Sequence, residues 1–155
     1  MNNPRPQTTR NDASKEPLSR YESLLLSLHE LIRQEKGSST AASDIRDELE
    51  QLREQLTEIQ IDRVDGLTGD LYSLNGSESF DDYSDEERMV ALTRAGKAFE
   101  SSEWDGVLDA LRVAAPKLAH DQLAMTRGRC WHRLERYTIA VTFYDLASKC
   151  RDRVR

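Results

Sequence analysis

Turn-forming residues are scarce in this sequence, with 7 glycines and 4 prolines among 155 residues. Together with 32% charged and 37% hydrophobic residues, that scarcity suits a helix-rich, very soluble chain. Cysteine is scarcer still. Cys130 and Cys150 alone cannot make a disulfide framework. At 1.5 Å per helical residue the two would sit roughly 16 Å apart along a hairpin, too far for a bond. Cys130 and His132 would point about 200° apart on a helix, and no C-x-x-C spacing accompanies them or His120, so no metal site is expected. No apolar run approaches the roughly 20 residues that span a bilayer. Met1 to Asp12 is polar, without the apolar core of a signal peptide. The expected location is therefore the cytoplasm. Glycine-rich phosphate loops, G-x-S-x-G and H-E-x-x-H are all missing, and Asp62 to Asp70 misses the calcium-loop spacing. The chain is expected to be non-catalytic, with no cofactor, no metal and no small-molecule substrate.

What is present is charge, unevenly placed. Residues 44–87 carry 3 basic and 15 acidic side chains, whereas residues 88–155 carry 13 basic and 8 acidic. The net charge of −6 argues against general nucleic-acid binding, which needs a basic surface.

The fold class expected is all-α. Residues 1–16 are polar and read as a disordered tail. Leu18, Tyr21, Leu25, Leu28 and Ile32 recur at threes and fours, and Leu24 and Leu31 widen the stripe, predicting a helix over 18–36 that starts at Pro17 and stops at Gly37. A second helix is expected from Ser43 or Asp44. Its Ile45, Leu49, Leu52, Leu56 and Ile59 form a heptad seam of two and a half repeats, which fits either a short coiled coil or an antiparallel hairpin with the first helix. Leu67, Leu71 and Leu74 extend helical spacing despite Gly66 and Gly69, until Asn75-Gly76-Ser77 breaks it. The resulting division is a tail over 1–16, a hairpin or coiled-coil region over 17–75, an acidic linker over 76–84 with Phe80 and Tyr83 as anchors, and a last domain over 85–152.

That domain opens on a capping box, Ser84-x-x-Glu87. The box explains Ser84 better than a phosphorylation site does, although its surroundings are acidic. Met89, Leu92, Ala95 and Phe99 form one apolar face. After a turn at Ser101-Ser102, Trp104, Val107, Leu111, Ala114 and Leu118 form the next, interrupted by Pro116. Further helices are expected over 119–133 and 137–150.

The stretch Gly128-x-x-Trp131, Tyr137, Ala140-x-x-x-Tyr144 and Ala147 resembles a tetratricopeptide repeat (TPR). Small residues let two helices close up, and aromatics fill the wedge between them. A weaker copy, Gly96-x-x-Phe99, Trp104, Val107-x-x-x-Leu111 and Ala114, precedes it 33 residues earlier, with one residue apparently lost between Gly96 and Trp104. Arg127 departs from the family pattern, which has leucine there. The resemblance covers about residues 86–152 and implies two helical hairpins, a fragment of an α-solenoid. It also implies a binding groove lined by Lys97, Gln122, Met125, Arg129, His132 and Arg133, with Arg94 at its edge. Such a basic groove suits an acidic peptide.

The last helix carries a second apolar face, Ile139, Phe143, Leu146 and Cys150. It is expected either to be exposed for docking another chain or to be covered by residues 18–74. Phe143→Asp separates the two, since the first loses a partner or oligomer and the second loses the fold. The function expected is an adaptor or scaffold that binds another protein, with its N-terminal helices packing or forming a homo-oligomer. The alternative is a small dedicated chaperone similar to the repeat-containing secretion chaperones.

Overall fold

A computed structural model describes residues 12–73 and 82–152, with side chains from Glu16 onward. Every regular element among them is helical. The chain parts into two compact units, residues 1–65 and 66–155. The expected tail up to residue 11, the break at Asn75-Gly76-Ser77 and the anchor Phe80 lie outside the described residues.

In the first unit, helix α1 spans Asp12–Arg33. It starts five residues before the expected Pro17, which lies inside it and has no amide to donate to the helix ladder. Leu18, Tyr21, Leu24, Leu25 and Leu28 are buried as the periodicity requires. Gly37 does not end the helix. The chain turns at Glu35, whose φ is 62°, with Lys36 N–H bonded to Leu31 O at 2.8 Å and Glu35 N–H to Ile32 O at 3.0 Å. Helix α2, Thr40–Arg53, is capped by Ser39, whose hydroxyl accepts from Ala42 N–H at 3.2 Å. It returns beside α1, and the Arg20–Glu48 pair at 2.7 Å joins the two. The exposed pair adds little to stability.

The heptad seam is not one helix. Chain direction changes after Arg53, and Thr57 starts α3, Glu58–Ser73. Thr57 Oγ1 accepts from Gln60 N–H at 3.3 Å while Gln60 Oε1 accepts from Thr57 N–H at 3.0 Å. This is a reciprocal capping box, Thr57-x-x-Gln60, and its cost to the seam is plain: Ile59 is 75% exposed while Leu49 and Leu56 are buried. The units divide within α3, so its C-terminal half belongs with the helices that follow and not with the N-terminal hairpin.

In the second unit, α4 spans Asp85–Glu100 and starts on the expected box, with Ser84 N–H donating to Glu87 Oε2 at 2.6 Å and Glu87 N–H to Ser84 Oγ at 3.2 Å. Helix α5, Trp104–Ala114, ends in a 3-10 turn, Ala115–Lys117, that accommodates Pro116. Helices α6, His120–Arg133, and α7, Tyr137–Asp152, complete the unit.

The hairpins α4–α5 and α6–α7 repeat each other at a constant offset. Ser102 and Glu135, 33 positions apart, both take positive φ, 58° and 60°. Each heads the same terminal hydrogen-bond pair. Glu103 N–H reaches Ala98 O and Ser102 N–H reaches Phe99 O in one hairpin, and Arg136 N–H reaches Trp131 O and Glu135 N–H reaches His132 O in the other. Phe99 and Trp104 meet edge to face at 5.3 Å, as His132 and Tyr137 do at 5.2 Å.

This register corrects the sequence alignment. No residue is lost, and the counterpart of Gly128 is Ala95, not Gly96. A Cβ on Gly128 would lie 2.7 Å from the Tyr144 ring, whereas one on Gly96 would meet nothing within 4 Å. Gly128→Ala is therefore expected to cost about 1–3 kcal/mol by forcing the hairpin apart. Gly96→Ala should stabilise by up to about 1 kcal/mol through helix propensity. Urea unfolding of the two variants checks both signs.

Candidate partner-binding face and buried charge cluster

Gln122, Met125, Arg129, His132 and Arg133 share one side of α6. Met125 is half-buried and the other four are exposed. Arg133 lies over the Trp104 ring at 5.8 Å, a cation–π contact between the two hairpins. His132 leans on Tyr137, and its ring centroid is 6.5 Å from that of Tyr144. Lys97 is exposed, but it occupies the register of buried Cys130 and not of Arg129. The residues of α4 in register with the α6 face are instead Met89, Leu92, Gly96, Phe99 and Glu100. Met89, Phe99 and Glu100 are exposed, so the two faces differ in character, apolar with one carboxylate on α4 and basic on α6.

The face expected to dock another chain is not open. Ile139 and Phe143 are 1% and 0% exposed, and the chain itself covers them. Leu146 and Cys150 are half-buried. On α7 the exposed apolar residues are instead Tyr137 and Val141.

The strongest constellation in this unit was not foreseen. Asp70 of α3 is 1% exposed. Arg112 of α5 reaches it with Nε to Oδ1 at 3.0 Å and Nη2 to Oδ2 at 3.2 Å. Arg127 of α6, itself 2% exposed, reaches it with Nη2 to Oδ1 at 3.1 Å. The guanidinium of Arg127 also approaches Ser73 Oγ at 3.4 Å, and Arg112 pairs in addition with exposed Asp109. Gly66 makes room for this: a Cβ there would stand 2.4 Å from Arg112 Nη2. That guanidinium is held by Asp70 and cannot step aside freely. Burial pushes the Asp70 carboxyl above its ordinary range, against the pull of Arg127 and then Arg112. Burial likewise lowers Arg127, against Asp70. The tetratricopeptide pattern that the sequence resembles has leucine at this position, and here Arg127 serves the carboxylate instead. The signal in the sequence was that departure, together with an Asp between Leu67 and Leu71 on one helical face.

Both cysteines are free thiols. Burial pushes Cys130 up to about 12. An alkylating reagent at pH 8 should therefore modify half-buried Cys150 in the native chain and Cys130 only after unfolding, which intact-mass measurement checks. Among the described residues no group of three or more His, Cys, Asp or Glu side chains is placed to hold a metal ion, and no helix is long and apolar enough to cross a membrane.

No protein family, curated protein or solved structure matches the chain.

Proposed function

We propose that residues 85–152 form a tetratricopeptide-like module that binds a protein partner, and that the chain is a non-catalytic adaptor or scaffold subunit. The observation that carries this reading is the repetition at 33 residues of one turn conformation, one terminal hydrogen-bond pair and one aromatic pair. The period is close to that of the family, about 34 residues.

The partner is read from the chemistry of the face. Arg129 and Arg133 are exposed and have no acidic partner among the described residues. Met125 on the same side of α6 supplies adaptable apolar contact, and Phe99 approaches the face through Trp104, which lies under Arg133. An extended acidic peptide with one or two apolar side chains fits that combination. In a panel of labelled acidic peptides, fluorescence anisotropy should find binders for the wild-type chain whose affinity falls as salt rises. Arg129→Glu with Arg133→Glu should weaken those binders at least tenfold without changing helix content. Undiminished binding by the doubly substituted chain would sink the assignment.

A further inference from the structure

A pair of leucines would hold α3 against its neighbours without desolvating a charge, yet α3 presents a carboxylate to two guanidiniums. A buried ion pair is a poor source of stability and a good source of discrimination, because it rejects any ligand that leaves one charge unpaired. The docked part of α3 is short. Leu67, Asp70 and Leu71 are its buried side chains, all on one helical face. Gly66 and Gly69 weaken its helix, and the boundary between the compact units runs through it. The fit is also incomplete. Arg127 Nε and Trp131 Nε1, on side chains 2% and 0% exposed, find no acceptor among the described residues.

We infer that the surface of α5 and α6 bearing Arg112 and Arg127 is a receptor for an amphipathic helix of the pattern Gly-Leu-x-x-Asp-Leu. The chain's own residues 66–71 occupy it as a built-in ligand, and a partner helix of the same pattern displaces them. Each position of the pattern has a physical source. The glycine leaves room for the Arg112 guanidinium, the carboxylate pairs with both arginines, and the leucines bury beside it. A partner helix that also brings an acceptor to Arg127 Nε or Trp131 Nε1 holds the surface better than α3 does. This receptor uses neither Arg129 nor Arg133, so it stands or falls independently of the exposed α6 face.

The probe is a labelled peptide of residues 57–73, which keeps the Thr57 cap. It is titrated into the full wild-type chain and into the full chain carrying Leu67→Ser and Asp70→Ser, whose own helix no longer competes. The peptide should bind the substituted chain at least tenfold more tightly than the wild type, and an Asp70→Lys peptide should bind neither. Equal binding of the two peptides, or no binding to a substituted chain that circular dichroism shows to be folded, overturns the inference. If that chain does not fold, hydrogen exchange on the wild type decides. The amides of residues 66–73 should exchange at least tenfold faster than those in the middle of α6 and α7, and equal protection would mark α3 as a fixed part of the core.

Discussion

Asp70→Ala should destabilise the C-terminal unit by about 3–5 kcal/mol, the usual cost of leaving a buried charge without its partner. Arg127 is the charge left behind, 2% exposed and held by Asp70 at 3.1 Å. Arg112 suffers less, since its side chain is 27% exposed and keeps Asp109. The converse change, Arg127→Leu, should cost less than Asp70→Ala, because Asp70 retains both bonds from Arg112. The double variant Asp70→Leu with Arg127→Leu should recover much of the loss, since an apolar pair of similar volume often replaces a buried ion pair at little cost. Urea unfolding of the three variants measures the coupling. Strictly additive effects would show that the two residues do not act as a pair.

Phe143→Asp should abolish the native fold, with a cost of at least about 4 kcal/mol for an unpaired carboxylate in a site 0% exposed. Loss of the helical circular dichroism signal under native conditions is the expected readout. Val141→Asp, two residues earlier on the same helix and 55% exposed, should change stability by no more than about 0.5 kcal/mol. A Phe143→Asp chain that kept its helix content and lost only an assembly state would restore the docking face that burial removes.

The contrast between these two positions shows what periodicity can and cannot reveal. The pattern over residues 137–150 correctly gave α7 two apolar faces, because spacing reports which side chains share a side. It does not report whether a neighbour from the same chain covers that side. The capping box at Ser84 was legible because Ser and Glu stand three apart before an apolar run. The equivalent box at Thr57-x-x-Gln60 carried the same signal, but the heptad spacing of Ile45 through Ile59 ran across it and hid a helix start. Local capping won over the seam there, which left Ile59 exposed. The all-α class and the hairpin boundaries at Ser101-Ser102 and after Arg133 followed from turn residues and spacing. The register between the hairpins did not, because Gly96 invited a match that the turn geometry assigns to Ala95. The Arg112–Asp70–Arg127 cluster joins residues up to 57 positions apart; an Asp between Leu67 and Leu71 marks a carboxylate on an apolar face, but nothing local names the arginines that folding brings to it.

The proposed binding face for an acidic partner is the side of α6 that carries Arg129 and Arg133. Nitrogen-15 chemical-shift mapping with the tightest acidic peptide of the panel tests it most directly. The largest shifts are expected at Phe99, Met125, Arg129, His132 and Arg133, with α1 and α2 unmoved. Shifts confined to α1 and α2, or none in α4 and α6 at saturating peptide, would contradict it.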